Sequence, residues 1–549
     1  MDGCETTAHQ GSAATTHQGS AATTHLHPHL LTPALHVRTR MTTASTIPAK
    51  ATTRQWAALA ALMIPVLLVS IDNTVLSFAL PEISRSLHPT GTQLLWIVDA
   101  YPLILAGLLV AMGSLGDRVG RRKLLLIGAI GFGAVSLYAA FSTTPEHLIT
   151  ARALQGLFGA TLMPSTLALL RNIFLDDVQR RLAIAIWASG FSAGAALGPI
   201  VGGWLLEHYW WGSVFLINAP VLAVLLIAAP LLIPESRDPQ PGALDITSMV
   251  ASVATMFTIV YGIKAAATGD ALVAITAILT GSAIGWWFVR RQNRLTSPML
   301  DMALFRNRLF SASVLTNLMA VVAMTGMLFY VAQYVQLVLG YSPFQSGLIL
   351  LPGLVATVIA GLVAVRLSLH FPLRVLIPTG LALSASGFAV ATQLGANTSV
   401  WLLIAAFALV GLGLGLAETL TNDAILGSVP PHKAGAASGI SETAYELGAL
   451  LGTAILGSIL TAVYRTQFVI PPGVSDTDAE AARQTLGGAV DTAATLPDPL
   501  GTELLTHAKE AFALGADTTS FVGLLITATA ATMMAIVLRT HKGLAGTPH

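Results

Sequence analysis

Two glutamates, Glu442 and Glu446, stand four residues apart in the stretch GISETAYELG, 439–448, inside a long apolar run. At that spacing both carboxylates share one helix face. A charged side chain at the centre of a membrane helix costs roughly 3 kcal/mol on insertion scales, so a chain that keeps two of them has a use for them. Three more acids fall inside apolar runs: Asp72 in SIDNTVLSFALP, Asp99 in WIVDAYPL, and Glu418. Glu82 and Glu207 sit at run borders and Asp423 near a run end. Arg152 is the only base that reads as lying within a run. An apolar interior with many acids and one base favours cations, protons included. A protonated carboxylate is tolerable in lipid, and an ionised one is tolerable when a lipophilic cation lies against it. Competition between the two is an exchange mechanism. Glu442 and Glu446 are expected to titrate as a coupled pair.

The single acids leave alternatives. Asp72 reads as a proton-coupling carboxylate whose affinity Arg152 tunes, or as half of a fixed Asp–Arg pair. Asp99 contacts substrate or accepts a hydrogen bond near the outer interface. Glu418 lines a solvated cavity wall. Phe329, Tyr330, Gln333 and Tyr334 offer faces for cation–π stacking on an aromatic cation, or form interfacial aromatics at a span end.

The elements that must carry these groups follow from composition. The 549 residues are only 10% charged, against about 25% in soluble domains, and mean hydropathy is +0.72. Apolar runs of about 20 residues, long enough to cross a bilayer, recur fourteen times. Their length and lack of strict alternation predict helices. Most Lys and Arg fall on the side of the two termini. Arg85, Lys264, Arg465, Arg483 and Lys509 fall opposite. The positive-inside bias predicts cytoplasmic N- and C-termini. The segments expected are a disordered tail, 1–53; a six-helix bundle, 54–235; two linker spans, 236–292; a second six-helix bundle, 293–540, with an external acidic loop at about 465–517; and a tail, 541–549. The last span is expected at 518–539. The tail repeats HQGSAATT, and Met41 is a candidate start. One cysteine, Cys4, excludes an internal disulfide.

Several motifs sharpen this. Gly113, Gly116, Asp117, Arg118, Gly120, Arg121 and Arg122 form G-x-x-G-D-R-x-G-R-R between spans two and three. That stretch resembles the signature loop of the major facilitator superfamily, which implies a cytoplasmic latch between two halves. Arg152, Gln155 and Gly156 are similar to the family's R-x-x-Q-G motif. Gly194, Gly198, Pro199, Gly202 and Gly203 match the antiporter motif G-x-x-x-G-P-x-x-G-G. SIDNTVLSFALP, WIVDAYPL, WGSVFLINAP (211–220) and PMLD (298–301) resemble the fourteen-span drug:proton antiporters, among them actinobacterial dye and fluoroquinolone exporters and a staphylococcal quaternary-ammonium exporter. The likeness runs from about residue 54 to 539. It implies an all-α membrane protein, with two six-helix bundles and two extra central helices, in an actinobacterial inner membrane. An acid that the staphylococcal exporter carries in span ten is absent, the aligned position being Thr357, which points to monocations over dications.

No G-x-x-x-x-G-K-[ST] phosphate loop and no H-E-x-x-H occurs. The expectation is therefore a transporter and not an enzyme, with no cofactor and no metal, driven by a proton gradient. Its partners would be small-molecule drugs, protons and the lipid bilayer, without nucleic acid, and the chain is expected to be a monomer. The function implied is proton-coupled efflux of lipophilic cationic or zwitterionic compounds. The alternative is proton-coupled export of an endogenous metabolite or lipid.

Overall fold

The computed structural model describes residues 51–238, 245–296, 298–396, 398–430 and 433–540. The tails, with the histidine repeat and Met41, lie outside the described residues. Among the described residues, fourteen helices are long and apolar enough to cross a membrane, the number expected. A backbone in lipid must satisfy its own hydrogen bonds, which is why the runs fold as helices. Polar caps mark where they start. Thr90 with Gln93 and Ser342 with Gln345 form capping boxes, and Thr144 accepts from the His147 N–H.

The first six spans are α1 (Thr53–Leu87), α2 (Gly91–Val119), α3 (Arg121–Ala140), α4 (Pro145–Ile173), α5 (Asp177–His208) and a broken sixth, α6 (Ser213–Leu216) with α7 (Asn218–Leu232). Two linker spans follow, α8 (Ile246–Ala267) and α9 (Ala271–Gln292). The second set holds α10 (Arg308–Gln333), α11 (Pro343–Leu367), α12 (Leu373–Ala391), α13 (Val400–Gly427) and α14 (Ala434–Gly452), the last running through a π turn into α15 (Ser458–Gln467). After α16 (Asp476–Gln484) and α17 (Leu486–Thr495) comes α18 (Leu500–Thr540).

Two boundaries differ from expectation. The last helix begins at Leu500, 18 residues before 518, because its first turns pack against neighbours: Leu504, Ala508, Ala511 and Phe512 are buried. The expected acidic loop shrinks to residues 468–499. The second of its two short helices, with its N-cap Thr485, pins it to α1, through Ser84–Thr485 at 2.7 Å and Arg85–Asp491 at 2.8 Å.

The two halves meet at the end of the bundle away from the start of α1 and the end of α18. There Gln336 donates to the Phe78 carbonyl at 3.1 Å and Ser342 to Glu207 at 3.3 Å. At the other end Gly427 and Gly439 face open space.

Candidate functional site

Asp72 of α1 sits in a closed polar network. Arg152 of α4 donates to its Oδ2 at 2.6 Å, and Asn218 of α7 to its Oδ1 at 3.0 Å. Arg152 also donates to Gln155 at 3.0 Å; Gln155 donates to Ser136 of α3 at 3.0 Å, and Asn218 to Ser136 at 3.2 Å. Both side chains of the ion pair are 1% exposed. The acid and base expected to interact from 80 residues apart thus do so. Asn218 and Gln155 belong to motifs that gave them no role of their own, whereas no sequence signal marks Ser136.

The guanidinium of Arg152 also lies 4.6 Å over the ring of Tyr101, on α2. The Tyr101 hydroxyl is buried and has no hydrogen-bond partner. Tyr101 lies within electrostatic reach of Asp72 and Arg152 of its own half and of Glu446 of the other half. Glu446 is buried, and its Oε2 is likewise without a partner. Each half thus holds a buried polar group without a hydrogen-bond partner, and such groups are places for an ordered water or a bound polar ligand.

Glu442 and Glu446 share α14, and Glu442 interacts electrostatically with both Glu446 and Glu418 of α13. Glu418 and Glu442 are partly exposed. The structure therefore gathers the three glutamates into one cluster. Small residues let α14 approach α10. A side chain at Gly448 would strike the Leu318 carbonyl and Val321, and one at Gly452 the Val322 carbonyl.

Asp99 has a different setting from the one expected. Lys264, counted among the charges outside the spans, lies in α8, 1% exposed, with Nζ 2.8 Å from Asp99 Oδ2. Arg152 is therefore not the only base in a span. The helix runs on to Ala267 and carries Lys264 inside. Asp99 is 0% exposed and faces the linker helix. The aromatic group is also closed off. Phe329, Tyr330, Gln333 and Tyr334 are all buried. Tyr330 Oη bonds Ser520 Oγ at 2.6 Å, Tyr334 donates to the Gly395 carbonyl at 2.6 Å, and Gln333 donates to the Phe329 carbonyl. Ser520 of α18 and the turn at Gly395 close over this buried group, which leaves it no free face for stacking in this conformation. One turn before Ser520, Asp517 has a buried, unpartnered Oδ1. In the sequence this aspartate falls at the end of the expected loop.

The signature loop turns at Gly120, whose φ of +113° suits glycine. Arg121 grips Asp117 at 2.7 Å. Glu235 accepts from the Arg122 and Lys123 backbone N–H groups at 3.0 and 3.1 Å, capping α3. With bonds from Arg122 to the Ile233 carbonyl, from Arg121 to Ser236 and from the Asp238 N–H to the Asp117 carbonyl, these contacts tie the loop to the segment that follows α7. In the antiporter motif, Gly194, Gly198 and Gly202 press α5 onto Ser70, Thr74 and Val75 of α1. Gly203 and Pro199 instead abut Pro343, Phe344 and Gly347 of α11, across the halves. Thr357 is wedged against Gly411 and Gly415 of α13 and donates to the Gly353 carbonyl, which explains the absence of a larger acid there.

Comparisons agree with this architecture. Residues 62–453 match the model of the Major Facilitator Superfamily. The chain is 51% identical to the multidrug efflux pump LfrA of Mycolicibacterium smegmatis, over 89% of this chain and 97% of that one. It is 36% identical to the methyl viologen resistance protein SmvA of Salmonella typhimurium (84% and 93% covered) and 34% identical to the tetracenomycin C resistance and export protein of Streptomyces glaucescens (81% and 84%). Among solved structures, a bacterial homolog of the human lysosomal transporter Spinster superposes with a TM-score of 0.63 at 16% identity, covering 91% of this chain and 100% of that one. Fourteen membrane-length helices, a motif-bearing turn after α2 and these relatives lead to one conclusion: the chain is a multi-pass transporter and belongs to the major facilitator superfamily.

Proposed function

We propose that the protein is a proton-coupled multidrug efflux antiporter for lipophilic cations and zwitterions. The observation that carries this reading is the pairing of two carboxylate sites across the seam. One is the Asp72–Arg152 network in the first half, and the other is the Glu418–Glu442–Glu446 cluster in the second, with Tyr101 between them. Relatives named as a multidrug efflux pump and as resistance proteins support the substrate class.

The mechanism follows from electrostatics. Three carboxylates linked electrostatically through Glu442 favour a counter-cation in a weakly polar surrounding. Either protons or a lipophilic cation supplies it, so loading one releases the other. In the first half, Asp72 exchanges a proton when Arg152 swings from it toward Gln155. With the Arg- and Lys-rich loops inside, the closed end of the bundle is external and this conformation faces the cytoplasm. Cation enters from the open side, the halves rock, and external protons displace it.

The test is ethidium efflux from cells or vesicles with and without a proton uncoupler, repeated with Asp72→Asn, Glu442→Gln and Glu446→Gln. We expect the uncoupler and each substitution to lower efflux at least tenfold. Efflux that survives the uncoupler refutes proton antiport, and normal transport by all three variants refutes the site. Export of an endogenous metabolite is a second reading, supported by the relative named for tetracenomycin C export. It predicts weak ethidium transport alongside growth defects on deletion.

A further inference from the structure

The linker hairpin of α8 and α9 meets the body through α8, while α9 is largely exposed. One flank of α8 rests on α2 and the other on the π turn 453–457 and α15. It therefore lies along the seam between the halves. The two flanks differ in chemistry. Toward α2 stands a buried polar anchor. The Lys264 ammonium is 2.8 Å from Asp99 and 3.8 Å over the Trp96 ring. Phe257 stacks on Trp96, with centroids 5.4 Å apart. Neither Asp99 oxygen has another partner, and Lys264 has none besides Asp99 and Trp96. Toward the second half α8 meets the π turn and α15, and there Val260 shares a buried, wholly aliphatic cluster with Ala454 of the π turn.

We infer that α8 is a strap fixed to the first half by Lys264 in the Trp96–Asp99 cage, and that it slides over the π turn and α15 as the halves rock. A buried ion pair with no other partner on either side holds strongly, since separating it leaves two uncompensated charges in lipid. Aliphatic contact is non-directional, and one packed arrangement exchanges for another at little specific loss. Lys264 is thus a positioning residue. It keeps the hairpin with one half and leaves the seam free to open. The inference rests on the alternating-access reading above.

The chain's single cysteine, Cys4, makes cross-linking clean. In a Cys4→Ser background, Val260→Cys is paired either with Leu103→Cys on α2 or with Ala454→Cys on the second half; all three positions belong to one buried cluster. A short bis-thiosulfonate reagent closes each pair through two disulfides, with a sulfinate leaving at each cysteine; loss of free thiol measures yield, and ethidium efflux is read before and after. The 103–260 link should keep more than half of the efflux, and the 260–454 link should lower it at least tenfold, with recovery for a cleavable reagent. Full activity with the 260–454 link, or loss with the 103–260 link, overturns the strap. Lys264→Met should reduce the 103–260 yield at least fivefold, and the swap Asp99→Lys/Lys264→Asp should restore it. If Lys264→Met does not fold, Asp99→Asn/Lys264→Met, which leaves no orphan charge, gives the same reading. An unchanged yield refutes the anchor. Yields do not depend on the transported compound: a protein that moves no ethidium with its thiols free refutes the efflux reading, while the yields still decide the anchor.

Discussion

Replacing Arg152 with Met, alone and together with Asp72→Asn, separates folding from transport at the first-half site. Both side chains of the pair are 1% exposed and 2.6 Å apart. At an effective dielectric near 20, unit charges at 4 Å attract by about 4 kcal/mol. Removing one partner also strands the other in the interior, so each single substitution should destabilise by roughly 3–5 kcal/mol. After Arg152→Met, Asp72 keeps only Asn218, at 3.0 Å. The double variant has no orphan charge, and the amide oxygen introduced by Asp72→Asn still accepts from Asn218. Its loss should fall short of the summed singles by at least about 2 kcal/mol. Unfolding in SDS titrations of the purified protein measures all four corners of the cycle. Additivity within about 0.5 kcal/mol would refute the pair as a stabilising unit. Transport by the double variant then decides between the two readings of Asp72. A fixed structural pair predicts near-normal, uncoupler-sensitive ethidium efflux. A proton carrier predicts a folded protein that no longer responds to the uncoupler.

Three further outcomes are expected. Gly198→Ala places a methyl group on Thr74 of α1 and should destabilise by about 1–3 kcal/mol in the same titrations; a neutral result would mean α5 and α1 do not pack through this motif. Gly120→Ala forces a side chain to φ +113° and into the Glu235 carboxyl, costing about 1–3 kcal/mol, and limited proteolysis should cut near residues 117–123 faster. Asp301 lies outside the spans, and the Lys433 ammonium 2.6 Å away, followed by the Ala303 N–H, holds its carboxyl below the ordinary 3.8. A depressed folded value means the contribution is present above about pH 4 and fades as pH falls through the folded value. Melting temperature should drop more steeply below about pH 4 in the wild type than in Asp301→Asn, and parallel profiles would remove this ion pair from the acid response.

The family, the span count and the identity of most polar groups were readable in the chain because each has a one-dimensional signal. Apolar runs of bilayer length force helices. The turn after α2 needs glycine at Gly120, and a helix must approach its neighbour where Gly194, Gly198 and Gly202 recur every four residues. The pairing of Asp72 with Arg152 was also accessible, since a lone base in lipid requires an acid.

Tertiary structure decided what spacing cannot encode. Lys264 sits near a helix end, where hydropathy cannot tell a solvated charge from a buried one. Only the docking of α8 on α2 gives it Asp99 and Trp96 as partners. The aromatic group at 329–334 reads as available for stacking because its partners are remote in the chain; Ser520, 190 residues beyond Tyr330, and the Gly395 carbonyl close it off. Tyr101 became the link between two carboxylate sites only when α2 was placed between α4 and α14. In each case the deciding quantity is which apolar face covers a polar group. That is set by contacts between helices far apart in the chain, and no local pattern records them.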